Sequence, residues 1–259
     1  MKVAWIHVAP VKGLAIEERD QIVLGPNGVD DDRRFVLVDE DGRMLNGKRL
    51  AGIATVHAGF EPATRRLELQ MSDGARVAGV VELTDRIAVA ISGCEAPGRL
   101  VEGPWAAALA ERLGRPIRLV RLDVAGSGQD RARDGAGATL LSLGSLERLA
   151  AEGSLDGPID PRRFRMLIGV SGAAAHAEDE WIGRPVRIGT AVIVPAGNVG
   201  RCVVTTRPPG SAASDLDTLG LLARYRREVP STEPLAFGVW ARIDREGLVR
   251  VGDDVRVLS

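Results

Sequence analysis

Apolar and polar residues alternate with a period of two through most of this chain, and Gly, Pro, Asp or Asn break the runs after a few residues. A helix cannot bury such a stripe, because its neighbours on one face lie three and four apart, whereas a half-buried strand buries every second side chain. The alternation predicts strands over Lys2–Val8 (Val3, Trp5 and His7 on one face), 34–38, 66–71, 80–83, 87–91, 164–170, 186–194, 202–206, 237–243, 248–251 and 255–258. Turn chemistry falls between them at Asp39-Glu40-Asp41-Gly42, Ser72-Asp73-Gly74, Asp244-Arg245-Glu246-Gly247 and Gly252-Asp253.

Three stretches carry helical spacing instead. Trp105–Leu113 has Pro104 at its first helical position and Gly114 as its stop; 145–152 places Leu146 and Leu149 together and ends at Gly153; 215–226 starts at an Asp suited to the N-cap. The expected fold class is therefore β-rich, mainly β with a few short helices, most simply barrels decorated by helices. Residues 123–137 are polar, Gly-rich and without periodicity, so they read either as a solvated linker or as a lid over a site. With the helix before it, this segment divides the chain into units at 1–118 and 119–259.

Charge excludes several partners. With 34 basic against 35 acidic residues there is no cationic field for nucleic acid and no polybasic patch for a membrane surface. No run approaches the ~18 apolar residues of a spanning helix. The opening MKVAWIHVAPVKG reads as a strand rather than a targeting signal, and the expected location is cytoplasmic. Two cysteines, Cys94 and Cys202, make neither a disulfide framework nor a four-thiolate zinc site. His7, His57 and His176 are scattered and read as structural or surface residues.

Familiar catalytic phrases such as G-x-S-x-G, a P-loop, H-E-x-x-H or a dinucleotide fingerprint are absent from the sequence. Two neighbourhoods stand out. Cys202 follows a strand that ends at Pro195, a loop containing Gly197 and Gly200, and Arg201. Glycines let backbone approach a ligand and a neighbouring cation favours thiolate, although a buried structural Cys fits the same residues. Cys94, at a strand end with no adjacent cation, reads as an ordinary thiol. The second neighbourhood is cationic: Lys12, the pair Arg33 and Arg34 after an acidic triplet, and Arg162, Arg163 and Arg165 around Phe164. Either these pair with Asp30 to Asp32 and Asp160, or they hold an anionic ligand between the two halves of the chain.

Six phrases in order carry a resemblance: PVKGL at 10–14, GVDDDRRFVLVDEDGRML at 28–45, RFRMLIGVSG at 163–172, EDEWIGRPVRIG at 178–189, GRCVVTTR at 200–207 and FGVWARI with VRVGDDV across 237–255. Together they cover nearly the whole chain. It resembles proteins with a MOSC (molybdenum cofactor sulfurase C-terminal) domain preceded by its N-terminal β-barrel companion, including the amidoxime-reducing components and their bacterial relatives. The resemblance implies a MOSC-type β-barrel after a smaller β-barrel-like domain, and a pyranopterin molybdenum cofactor whose metal is held partly by Cys202. It implies cofactor contacts from Lys12, Arg165, Gly200, Arg201 and Thr205, and from Arg33 or Arg34, between which the motif does not choose. The implied activity is oxidoreduction of a small molecule, with reduction of N-hydroxylated compounds as the family's best-attested reaction. No cluster-forming Cys set or dinucleotide site is visible, so an external electron-transfer protein is implied. A sulfur-carrier or cofactor-delivery role for Cys202, or another anionic ligand, is the alternative. The sequence departs from the family at Met166-Leu167, where Pro-Asn is usual, and at Arg207 to Ser211, where an Asp-Pro-Asp-Thr-Gly phrase is common.

Overall fold

The computed structural model describes residues 1–48, 50–91, 93–231 and 233–258. In chain order its strands are β1 (Lys2–Val8), β2 (Glu17–Glu18), β3 (Gln21–Leu24), β4 (Phe35–Val38), β5 (His57–Glu61), β6 (Arg66–Gln70), β7 (Arg76–Val80), β8 (Glu82–Ile91) and β9 (Cys94–Glu102). There follow β10 (Arg118–Leu122), β11 (Ala138–Ser142), β12 (Ile168–Ser171), β13 (Val186–Ile188), β14 (Ala191–Asn198), β15 (Val239–Arg245), β16 (Gly247–Arg250) and β17 (Val255–Val257). Three short helices interrupt them: α1 (Trp105–Leu113), α2 (Leu143–Glu152) and α3 (Thr218–Tyr225). The β-rich class is as the alternation requires.

Eight strands pair in the order β17-β13-β14-β15-β11-β12-β1-β2, four in the order β4-β10-β9-β8, three as the meander β5-β6-β7, and two as β16-β3. Among the described residues each order has two ends, so the strands pair as open sheets and not as closed barrels. The eight-stranded sheet starts and stops on very short strands, β17 and β2, whose few residues leave little edge to pair.

One core lies against the eight-stranded sheet and takes Val3, Ile6, Val8, Ile22 and Leu24 from the start of the chain together with Ile168, Ile193 and Val239. A second gathers Leu37, Leu67, Leu69, Trp105, Leu109 and Leu119. Trp105 anchors the latter: it is fully buried and its Nε1 donates to the Leu67 carbonyl at 3.1 Å. The first strands therefore pack on the last ones, through β1 on β12 and β3 on β16. This brings the segments after β1 and β3 alongside the C-terminal sheet.

Several elements differ from the alternation's forecast. A bulge between Val3 and Trp5 moves Ile6 and Val8 onto the core side with Val3, so Val3, Trp5 and His7 do not share one face. The stretch 186–194 is two strands, since Gly189 (φ +56) and Thr190 turn the chain within it. Strand β9 was hidden by Pro97 and Gly98, which look like turn residues. Strand β12 starts only at Ile168, because Asp160 caps a 3-10 turn over Pro161–Phe164 with Pro161 at its first position. Likewise Cys202 heads a 3-10 turn, Val203–Thr206, rather than a strand. The helix after it is capped by Asp217, whose carboxylate accepts from the Gly220 N–H at 2.9 Å, not by Asp215.

Two of the histidines are structural. His7 stacks on Trp5 with centroids 5.4 Å apart, and His176 packs against Tyr225 and Phe237. Burial, then the charge of Arg162, lowers His7 to about 4; burial, then Arg226, lowers His176 to about 4. An unfolded chain returns both to about 6.5, so between those values it binds protons that the folded chain refuses. Stability is therefore expected to fall as pH drops from 6.5 toward 4. Urea midpoints at pH 7 and pH 4.5 check this: a His7→Gln, His176→Gln double variant should lose less than the parent.

Candidate active site

The ends of the elements just described meet around a cleft of about 860 Å³. Lys12, Arg33 and Arg165 stand on its wall, and so do Gly200, Arg201, Cys202 and Thr205. Arg34 does not: its guanidinium turns to the Asp30 carboxylate at 3.0 Å and the Asp123 carbonyl at 3.1 Å. Of the two adjacent arginines, only Arg33 faces the cleft.

Lys12 is placed by the short link from β1 to the second core, with its N–H on the Phe35 carbonyl at 2.8 Å. The following Gly13 has φ +91, and a Cβ there would come within 2.7 Å of Ile53 Cδ1, so the tight turn behind Lys12 calls for glycine. Arg33 and Arg165 meet across the cleft, Arg33 Nη2 donating to the Arg165 carbonyl at 2.9 Å. Both have φ +54, in the left-handed region. That conformation costs about 1–3 kcal/mol for a non-glycine residue and persists where the surroundings enforce it, characteristically at binding sites.

Asp32, fully buried, is the hub of this corner. It accepts from the Ala9 N–H at 2.9 Å and from Gln129 Nε2 at 2.6 Å, and it pairs with the Arg33 guanidinium. The salt bridges open to the acidic triplet and to Asp160 are thus realised for Arg33, Arg34 and Arg162. They leave Arg165 with a buried Nη2 that has no hydrogen-bond partner among the described residues. Burial, then repulsion by Arg33, lowers Arg165 to about 10. An extra anion is what such a corner lacks.

Cys202 is a free, half-buried thiol lining the same cleft. Its carbonyl accepts from both the N–H and the hydroxyl of Thr205 at 3.0 Å, and that hydroxyl also meets Thr218 at 2.7 Å. Thr205 therefore fixes the turn behind the thiol. Gly200 gives room, since a Cβ there would lie 2.8 Å from Glu233 Oε2 and 3.1 Å from the Pro234 carbonyl. Arg201 points inward under the loop. Its Nε donates to the Phe237 carbonyl and its Nη1 to the Phe164 carbonyl, both at 2.9 Å, while Nη2 reaches the Met166 sulfur at 3.0 Å. The Phe164 and Phe237 rings lie 5.4 and 5.9 Å from the guanidinium carbon. Burial lowers this arginine to about 9, with Cys202 the largest opposing influence.

The departures at 166–167 make sense in these terms. Met166 and Leu167 are buried, the sulfur of Met166 caps the Arg201 guanidinium, and the Leu167 N–H is satisfied by Thr139 Oγ1 at 2.8 Å. At the rim, Arg207 donates to the Gly47 carbonyl, and 208–211 also line the cleft.

Residues 123–137, open in the sequence to linker or lid, line the cleft and are tied down on it. Lys12 Nζ donates to the Gly128 carbonyl at 2.7 Å and to Asp130 Oδ1 at 2.6 Å, and Arg131 pairs with Glu233. Burial opposes ionisation of Asp130, but Lys12, then Arg33 and Arg165, outweigh it and hold the carboxyl at about 2. Sequence reasoning missed Asp130, Gln129 and Glu233, because loops without periodicity give no hint of which acid faces inward. None of the three histidines lines the cleft, and no three His, Cys, Asp or Glu side chains gather to hold a metal among the described residues. No helix among them is long and apolar enough to cross a membrane.

Residues 131–256 match the MOSC domain and residues 1–116 the MOSC N-terminal beta barrel domain. Mitochondrial amidoxime-reducing component 1 of Xenopus laevis is 27% identical over 98% of this chain and 81% of its own length. Molybdenum cofactor sulfurase of Oryza sativa subsp. japonica is 25% identical over 86% of this chain, which spans 30% of that larger protein. The YuaD protein of Bacillus subtilis superposes over 99% of this chain and 94% of its own, with a TM-score of 0.45 and 11% identity.

The inward Arg201 gives a direct expectation. Arg201→Met strands two buried carbonyls and is expected to destabilise the chain by about 2–4 kcal/mol in urea unfolding. Cys202 should also be alkylated faster by iodoacetamide than in the parent, as its loop loosens.

Proposed function

This chain belongs to the MOSC family, with an N-terminal MOSC beta barrel domain followed by a MOSC domain, and on that footing we propose that it binds a molybdenum cofactor in the cleft and acts as an oxidoreductase on a small molecule. The observation that carries this reading is one free thiol, Cys202, on the same cleft as three cations, Lys12, Arg33 and Arg165.

The donor set suits such a group. A lone thiolate cannot make a metal site by itself, but a pyranopterin brings its own sulfurs and needs one soft ligand from the protein. It also brings a phosphate, which the unpartnered Nη2 of Arg165 and the point charge of Lys12 would neutralise. The cleft volume of about 860 Å³ falls in the ordinary range for a cofactor or ligand site. When bound, the cofactor supplies two-electron oxygen-transfer chemistry, and the protein supplies binding, orientation and electrostatics.

The chain's own residues divide the work. Cys202 presents the ligand sulfur; Thr205 and Arg201 hold its loop; Arg33 and Arg165 clamp the anionic end; residues 123–137 limit access of water. The rim at 207–211 lacks the acids common in relatives and carries Arg207 instead, so substrate meets a neutral-to-cationic wall there. Reduction of an N-hydroxylated compound is the proposed reaction, after the amidoxime-reducing relative. Two cysteines cannot ligate an iron–sulfur cluster of the four-thiolate kind, so the electrons come from an external electron-transfer protein. Free thiols fit a reducing compartment such as the cytoplasm.

A second reading, sulfur carriage, draws on one observation: Cys94 also lines the cleft and is free. The deciding experiment is molybdenum per chain after expression in a host that makes the cofactor. Near-stoichiometric metal that is lost in Cys202→Ser and in Arg165→Ala supports the first reading. Metal-free wild type beside a loaded control protein sinks it, and a persulfide on Cys202 by mass spectrometry would favour the second.

A further inference from the structure

The lysine expected to hold the ligand's anionic end already spends two of its three N–H donors on the chain itself. Both of its hydrogen-bond acceptors, the Gly128 carbonyl and the Asp130 carboxylate, come from the strap at 123–137. Arg33 and Arg165 also act on the Asp130 carboxyl. We propose that Asp130 is a tethered stand-in for the anionic ligand, seated among Lys12, Arg33 and Arg165 until a phosphate group displaces it. This rests on the reading of the cleft as a cofactor site and names a residue that governs entry to it.

Charge supports the exchange. Three cations face the carboxylates of Asp32 and Asp130, leaving one positive charge over; with a phosphate dianion in place of Asp130 the corner is neutral. A carboxylate holds the site incompletely, and a phosphate monoester completes it. Asp130 is also held in a manner that allows release. Its side chain is 80% exposed to the water of the cleft while that of Lys12 is 11% exposed, and an ion pair with one wet end contributes little to stability. Cations surround the carboxylate, yet solvent reaches it directly.

The strap has places to bend on either side. Gly128 lies with its backbone against Arg33, where a Cβ would come within 2.1 Å of the Arg33 carbonyl, so the chain is pinned up to that point. Gly135, φ +83, marks the other end. Between them the segment is held by side-chain contacts, Gln129 to Asp32, Arg131 to Glu233, and Arg242 Nε to the Asp134 carbonyl at 2.9 Å. Release of Asp130 therefore moves a short stretch, 129–133, up to the Asp134 carbonyl held by Arg242, without disturbing either core.

The test titrates cofactor-free protein with inorganic phosphate by calorimetry, comparing wild type with Asp130→Asn. Residue 130 sits at a wet loop position, so the variant is expected to melt with the parent. Asp130→Asn should bind phosphate at least about tenfold more tightly, because a like charge no longer occupies the site. Phosphate should also speed tryptic cleavage after Arg131 and Arg133 in wild type, whereas the strap of Asp130→Asn is cut quickly without it. Equal phosphate affinity in both proteins, with cleavage indifferent to phosphate, overturns the stand-in role and leaves the cofactor reading intact. No phosphate binding by either protein overturns the stand-in role, and molybdenum content alone decides the cofactor reading. Tighter phosphate binding by the variant together with molybdenum-free wild type upholds the stand-in role and removes only the cofactor reading.

Discussion

The interaction on which the site depends is the buried guanidinium of Arg201. It is the joint between three separate parts of the chain: the Cys202 loop, the 3-10 turn that ends at Phe164, and the lead into β15 at Phe237. Because it donates to both carbonyls and lies between both rings, the thiol wall and the Arg165 turn cannot shift independently. Burying a cation this way is costly, as its lowered pKa of about 9 shows, and carbonyl dipoles with aromatic faces are what compensate it. The sequence places Arg201 next to Cys202 and invites the view that it activates the thiol. The structure adds a further task, holding the floor beneath, while its charge still faces Cys202.

A second constraint is strain. Arg33 and Arg165 both occupy the left-handed region, and the guanidinium of the first is bonded to the carbonyl of the second. Each turn is enforced from outside, one by Asp32 and Ala9, the other by the Asp160 cap and Pro161. The cation cluster is therefore preorganised before any anion arrives, and its like charges are tolerated only through Asp32 and Asp130. On the proposed reading, this preorganisation is what suits the cleft to a phosphate-bearing ligand.

Much of this was legible in the residues. Period-two alternation identified most strands, and Gly114 stops α1 as expected, while Pro104 is its N-cap rather than its first helical residue. The phrases around Lys12, Arg33, Arg165 and Cys202 marked four residues that do share one cleft. What was hidden has physical causes. Strand β9 carries Pro97 and Gly98, which read as turn residues until pairing on both sides fixes them. The 3-10 turn at Val203–Thr206 looks like strand because all four of its residues are β-branched, while the turn at Pro161–Phe164 meets the expected strand only at Phe164. Arg34 is indistinguishable from Arg33 in sequence, and only its link to Asp30 and Asp123 removes it from the cleft. Asp130 gave no signal at all, since its role comes from a lysine 118 positions away.

The central claim is that one ligand spans the cleft, touching both Cys202 and the cation cluster. Its most direct measurement is the rate of Cys202 alkylation, resolved by mass spectrometry, in cofactor-free and cofactor-loaded protein. The account predicts that loading shields Cys202 sharply in wild type, whereas Arg165→Ala, which does not retain the cofactor, leaves Cys202 as reactive as in cofactor-free protein. Cys202 alkylated equally fast with and without a full complement of molybdenum would contradict it.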